Sequence, residues 1–336
     1  MNIEPEVKLA FDDVMIKPKH SQLVSRNDVN LERTFEFKHS KFKWCGIPII
    51  AANMDTVGTI EMANALKRHN LLTALHKFYD NKSLQQFDFT NTIVTIGEGK
   101  IPEFLTDKDF YDKYNFLLVD VANGYRKCFL DFVKELREKF PNKIIIAGNV
   151  ATREMTEALI NAGADIIKVG IGPGAVCTTR KVTGVGYPQL SAISECAEIA
   201  HKLNAHIIAD GGCKFIGDIA KAFGAGADFV MLGGMLAGHS ESGGTIIEEN
   251  EILYKEFYGM SSNHAQEINY SKQKNYKASE GKLVKLKYKG PVEKTIMEIL
   301  GGLRSAHSYI GAKKIIDFKK NCVFVRCTQT TNEIFS

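Results

Sequence analysis

The sequence predicts a (β/α)8 barrel of the TIM type, and three observations carry that prediction. Short apolar, β-branched runs recur eight times with helical patterns between them. Most of these runs are apolar on both faces, as strands of a covered parallel sheet are. Nearly every run ends in glycine or in a chemically useful side chain, and a barrel gathers such strand ends at one mouth. A chain of 336 residues suits one barrel with an insertion. A doubly wound sheet is the alternative. No G-x-G-x-x-G follows the first strand, which weakens that fold and a Rossmann-type cofactor site with it.

The predicted strands cover residues 47–52, 72–76, 92–96, 116–121, 143–147, 165–169, 206–209 and 228–232. The first ends in Asn53-Met54-Asp55 and the second in His76-Lys77. The fourth ends in Asp120 with Asn123-Gly124, and the fifth in Gly148-Asn149. The seventh ends in Asp210-Gly211-Gly212 and the eighth in Gly233-Gly234. Among the helices, the one after Pro188 is the plainest: Leu190, Ile193, Ala197, Ala200 and Leu203 line one face. Two glycine pairs after consecutive strands suit a phosphate, which backbone N–H groups and a helix start can hold. Asp210 would repel a phosphate, but it can accept hydrogen bonds from a pair of ribose hydroxyls. Phosphate plus ribose points to a nucleotide. Each glycine pair taken singly reads as no more than a tight turn.

The sixth strand opens the most informative segment, GIGPGAVCTTRKVTGVGYPQ at 170–189. Glycine lets backbone approach a ligand closely, because no Cβ stands in the way. Cys177, with the Thr179 hydroxyl two residues on, is a candidate nucleophile beside a proton donor. The competing reading is a mobile turn with an incidental thiol, and the density of polar groups weighs against it.

Composition sets bounds. The chain is 44% hydrophobic with a net charge of +4, which is globular and too weakly basic to argue for nucleic acid. The seven cysteines are odd in number and include no C-x-x-C pair, so neither zinc nor a disulfide framework is expected. The thiols point to a reducing compartment. The opening MNIEPEVKLAFDDV lacks the basic start and apolar core of a signal peptide. No apolar run reaches the roughly 18 residues of a membrane span. A cytoplasmic protein without membrane contact is expected.

After the eighth strand the barrel pattern lapses. Residues 238–291 hold GHSESGG, FYGMSS and a basic stretch with lysines at 272, 274, 277, 282, 285, 287 and 289. Within a single barrel domain spanning 1–336, this insertion is expected to form a flap or lid. Lysines there can neutralise phosphates, though those after 281 read better as a solvated face. Glu280, between Ser279 and Gly281, is a candidate acid or base.

Together these segments resemble the IMP dehydrogenase/GMP reductase family. The resemblance rests on FDDV with Ser25-Arg26, GIPIIAANMDTVGT, DVANGY, IAGNV, the cysteine loop, IADGGC, GDIAKAFGAGADFVMLGGMLAGHSESGG, FYGMSS, KASEGK, ILGGLRSAHSYIGA and VRCTQ. It runs from Leu9 to Ser336. Two features point to its reductase branch. The dehydrogenases usually carry a pair of CBS modules inserted in the barrel, for which this chain has no room. They also carry an Arg-Tyr dyad on the flap, which is missing between Gly244 and Pro291, where Ser-Glu-Gly stands instead.

The resemblance implies a homotetramer and a reaction in which GMP and NADPH give IMP, ammonia and NADP+. It assigns catalysis to Cys177, Thr179 and Glu280. Cys177 would form a covalent thioimidate at C2 of the purine, and the other two would relay a proton to the leaving amine. It implies that GMP is held by Asp210, Gly211, Gly212, Gly233, Gly234, Gly259, Met260, Ser261, Lys277, Ala278, Ser279 and Gly281. NADPH would meet Lys77, Asp120, Val121 and Ala122, with Ser25, Arg26, Ser305, Ala306, His307 and Ser308 supplied by a neighbouring subunit. A potassium ion would sit on the carbonyls of Gly172 and Gly174.

Three positions depart from the family pattern. Ala175 replaces a serine usual in the phosphate site, Lys277 stands where arginine is common, and His307 where cysteine is common. Lysine keeps the charge but loses the bidentate fork. Rival readings are a dehydrogenase without its regulatory module and a nucleotide-binding homologue with weak catalysis. A nucleic-acid-binding protein is opposed by the mild charge.

Overall fold

In the computed structural model, residues 1–269 and 278–328 are described. Eight parallel strands close into a barrel, as the alternation of runs predicts. They are β1 (Ile49–Ala51), β2 (Leu72–Ala74), β3 (Thr92–Ile96), β4 (Phe116–Asp120), β5 (Ile144–Val150), β6 (Ile166–Val169), β7 (His206–Asp210) and β8 (Phe229–Leu232). Each pairs with its neighbours in chain order, and β8 closes on β1 through Val230–Ile49 and Leu232–Ala51. β5 runs three residues further than expected and shifts register against β6 between Gly148 and Val150. This carries Asn149 out to the mouth.

The barrel helices are α1 (Ile60–Leu66), α2 (Asn81–Leu84), α3 (Lys108–Tyr111), α4 (Lys127–Lys139), α5 (Arg153–Asn161), α6 (Gln189–Lys202), α7 (Ile216–Ala225) and α8 (Glu293–Ile310). In α6 the predicted face is buried: Leu190, Ile193, Ala197 and Ala200, with Leu203 just past the last turn. Among the described residues no helix is long and apolar enough to cross a membrane.

A hairpin of Arg33–Glu36 and Lys43–Gly46 covers the N-terminal end of the barrel. It was not legible in the sequence. Phe35 stacks on Phe229 at 4.3 Å and meets the His206 ring edge-on at 5.3 Å. Trp44 and Phe37 meet Phe116 edge-on. These partners begin β8, β7 and β4, so the hairpin acts as an aromatic plug. Phe35→Ala is expected to cost about 3–5 kcal/mol of unfolding free energy in a denaturant titration. A loss below about 1 kcal/mol would show that the plug does not hold the barrel end.

Between β8 and α8 the chain builds a three-stranded antiparallel sheet from β9 (Ile246–Glu249), β10 (Ile252–Tyr258) and β11 (Leu283–Lys287). β9 and β10 join through Asn250-Glu251, both at positive φ, the two-residue turn that matches strand twist. A helix, Asn263–Asn269, follows β10. In β11 Lys285 and Lys287 point to solvent while Val284 and Leu286 pack inward, which is the solvated face expected of those lysines. The sheet is moored to the barrel by Asp55, which accepts from Tyr258 Oη at 2.9 Å and Asn269 Nδ2 at 2.8 Å.

Candidate active site

The C-terminal ends of the strands enclose a cavity of 220 Å³. Its wall starts from the loop after β6. Gly170 leaves that strand so close to β7 that a Cβ on it would lie 2.2 Å from the Asp210 carbonyl oxygen. Only glycine permits this approach. The loop is then tied to itself. Arg180, on the short helix Thr179–Thr183, packs along Gly172 and Gly186 and donates from Nη2 to the Tyr187 carbonyl at 2.5 Å. Cys177 N donates to the Gly174 carbonyl at 3.1 Å.

The thiol this loop presents is half-buried and not alone. Cys177 Sγ donates to Thr179 Oγ1 at 3.2 Å, and Thr179 Oγ1 donates to Glu280 Oε2 at 2.7 Å. Thr179 and Glu280 are 101 positions apart, so the chain must fold the insertion back to join them. It does so through backbone. Thr178 N donates to the Glu280 carbonyl at 3.0 Å, Lys282 N to the Val176 carbonyl at 3.0 Å, and Gly259 N to the Lys282 carbonyl at 3.2 Å. A Cβ on Gly259 or on Gly281 would sit 3.0 Å from the Cα of the other, so two bare backbones pass here. The result is a hydrogen-bonded line from thiol through hydroxyl to carboxylate, with its donors in a consistent direction.

The cavity floor is charged. Lys168, on β6, lies 2.9 Å from Asp120 Oδ1 and 2.5 Å from Asp210 Oδ2. Asn53 Nδ2 donates to Asp120 Oδ2 at 3.0 Å, and Asn149 Nδ2 to Asp210 Oδ2 at 2.9 Å. Burial works against both charges, yet the Lys168 ammonium holds the Asp120 carboxyl below the usual carboxylate range. The two carboxylates in turn raise Lys168 above an ordinary ammonium, again against burial.

Of the predicted site residues, Cys177, Thr179, Glu280, Asp210, Gly259, Met260, Ser261, Asp120, Val121, Ala122, Gly172 and Gly174 line this one cavity. Gly281 bridges to Cys177 across the loop, and the Ser279 hydroxyl accepts from Asn263 N at 3.1 Å. Ala278 is exposed. The glycine pairs stand beside the cavity rather than in it. Gly211 lies against Pro173-Gly174, Gly212 against Phe11, and Gly233 beside Met54. Gly234 lies against Phe257 and Ala175, which puts the departing Ala175 next to the pair after β8. Lys277, and with it Lys272 and Lys274, lies outside the described residues.

Other predicted residues are elsewhere. Lys77 lines a separate small cavity with His76 and Lys100 at the ends of β2 and β3. Ser25 and Arg26 are exposed on a turn that packs against α8, the helix that carries Ser305, Ala306 and Ser308. His307 faces the other way. Helical spacing puts it with Leu303 and Ile310 on the buried side, where Nδ1 is 2.8 Å from the Leu303 carbonyl and the ring is 4.5 Å from Phe318. Sequence reasoning missed Lys168. The signal was a lysine inside an otherwise apolar run, a residue type buried only when paired.

A closed parallel barrel that gathers a thiol, a hydroxyl and half-buried carboxylates at its mouth defines a (β/α)8-barrel enzyme. The chain matches the model of the IMP dehydrogenase / GMP reductase domain over residues 8–88 and 108–333. Curated relatives named GMP reductase cover the whole chain. That of Enterobacter sp. (strain 638) is 53% identical over 345 residues, covering 100% of this chain and 99% of the relative. That of Klebsiella pneumoniae subsp. pneumoniae has the same identity and coverage. That of Buchnera aphidicola subsp. Acyrthosiphon pisum (strain Tuc7) is 54% identical over 346 residues, again covering 100% and 99%. The chain belongs to the IMP dehydrogenase/GMP reductase family, and it is an oxidoreductase.

Proposed function

We propose that the chain reductively deaminates GMP to IMP and ammonia with NADPH, through a covalent bond from Cys177 to C2 of the purine. The line Cys177–Thr179–Glu280 carries this reading, and the names of the full-length relatives support it. The Cys177 thiolate attacks C2. Glu280, protonated from solvent, delivers its proton through Thr179 to the 2-amino group, a poor leaving group until protonated. Ammonia departs as its bond to C2 breaks, leaving a thioimidate. NADPH, when bound, supplies a hydride to that carbon. The C2–S bond then breaks and Cys177 leaves as thiolate. Asp210 would accept from the ribose hydroxyls, and the glycine pairs, beside Pro173–Ala175, would hold the phosphate.

On this chain Asp120, Val121, Ala122 and Lys77 would hold the nicotinamide nucleotide. Their arrangement suits it: an apolar pair lines the main cavity, and two lysines line the separate small cavity at the ends of β2 and β3. The turn of Ser25 and Arg26 with Ser305, Ala306 and Ser308 would complete the site from a neighbouring copy in a homotetramer. The His307 side chain, buried, would not. NADPH is expected to exceed NADH in kcat/KM by at least about tenfold, the worth of one charge-assisted contact to the 2′-phosphate. Equal values would show that no cation reads that phosphate.

A potassium ion would be held by the Gly172 and Gly174 carbonyls, hard oxygen donors of the kind such an ion takes. The Gly172 carbonyl accepts no hydrogen bond among the described residues and so has an acceptor to offer. The ion would stiffen the loop that aims the thiol. Replacing potassium with tetramethylammonium is expected to cut kcat by about tenfold or more. An unchanged rate would remove the ion from the account.

The direction of the reaction is tested by offering both substrate pairs. GMP with NADPH should lose absorbance at the nicotinamide band, and IMP with NAD+ should gain little. The opposite outcome would make the chain a dehydrogenase. The placement of Glu280 on the Thr179 hydroxyl suits proton delivery to an amine.

A further inference from the structure

Lys168 has no part in the chemistry just described, yet it is only 4% exposed and carries a full charge. Burying an ammonium is costly unless partners are close and well placed. Its two partners come from different strands, Asp120 from β4 and Asp210 from β7. Without the cation, two half-buried carboxylates would share one cavity floor and repel. The hydrogen bonds are also asymmetric. Lys168 Nζ and Asn149 Nδ2 both reach Asp210 through Oδ2. Oδ1 accepts no hydrogen bond among the described residues, while Asp210 lines the cavity. A carboxylate torsion is broad when free. With one oxygen clamped from two sides, the other is presented in a fixed direction.

We propose that Lys168 is a positioning residue: it clamps Asp210 so that Oδ1 meets the ribose hydroxyls of the bound nucleotide, and so sets the preference for a sugar that carries them. The inference deepens the functional reading above and rests on it. A preorganised acceptor binds more tightly than a mobile one, because less freedom is lost on binding. Removing Lys168 therefore weakens ribose recognition selectively, whereas a merely structural role would weaken all nucleotides alike.

The test compares binding of GMP and of 2′,3′-dideoxy-GMP to the full chain by titration calorimetry. The wild type should prefer GMP by at least about tenfold, as loss of a hydrogen bond to a charged acceptor implies. Lys168→Met should bring the two affinities within about threefold of each other, and Lys168→Arg should restore at least part of the preference. Lys168→Met leaves two carboxylates facing each other and costs stability, so a second variant is needed. The double variant Lys168→Met/Asp120→Asn keeps the net charge of the cluster and should show the same collapse. A Lys168→Met or double variant that still discriminates as the wild type does overturns the assignment. So does a uniform loss of affinity for both nucleotides. A wild type that binds neither nucleotide overturns the functional reading, and this inference with it.

Discussion

Cys177→Ala is expected to abolish both ammonia release and NADPH oxidation while GMP still binds. The thiol sits at the head of a side-chain hydrogen-bonded line that runs from the cysteine loop to the insertion. Every bond change in the proposed reaction occurs at the carbon it attacks. A methyl group in its place cannot form the covalent bond that splits one hard displacement into two easier ones. The loss should exceed about a thousandfold, as for removal of other enzymic nucleophiles. GMP affinity should change little, because Asp210 and the glycine pairs are untouched. Retention of more than a trace of turnover would sink the covalent route. The other cysteines lack such a setting. Burial pushes the Cys196 thiol up to about 12 and Cys322 up to about 11, so both stay protonated.

Glu280→Gln should lower the forward reaction by about 10²–10⁴-fold, the usual worth of a general acid. Its amide keeps the shape and can still contact Thr179, so the insertion should remain docked through its backbone bonds to Thr178 and Val176. What it loses is the proton for the amine. Hydride transfer needs no such proton, and it can be read separately. IMP and NADP+ alone should give a single-turnover burst of NADPH absorbance as Cys177 adds to C2 and the hydride leaves. In Glu280→Gln that burst should fall far less than the forward rate. An equal loss in both would mean that Glu280 shapes the insertion or binds GMP, with the proton arriving from elsewhere.

The barrel was legible because covered parallel strands must be apolar on both faces. Runs such as IIIAGNV at β5 leave little else for the chain to do. The sheet of the insertion was less so. Its strands are short, exposed and alternating, and LVKLK at β11 reads equally well as a solvated basic segment. The aromatic plug was hidden for a related reason: RTFE and KWCG are four-residue strands that pair with each other, and the rings they pack on lie far along the chain.

At the site, spacing alone joined Cys177 to Thr179, but no local pattern joins either to Glu280 across 101 positions. That link came from the resemblance to the family, and the backbone ladder between 176–178 and 280–282 gives it a physical cause. His307 lies in a segment expected at the cofactor, yet its helix turns the ring into the core. Segment-level resemblance does not see which face of α8 a residue occupies. Lys168 was concealed by an apolar neighbourhood that is itself the reason its charge matters.

The central claim is tested most directly by counting NADPH oxidised and ammonia released in the same reaction with GMP. One ammonia per NADPH, both dependent on GMP and both lost in Cys177→Ala, is the predicted result. GMP binding without NADPH oxidation, or NADPH oxidation without ammonia, would contradict it.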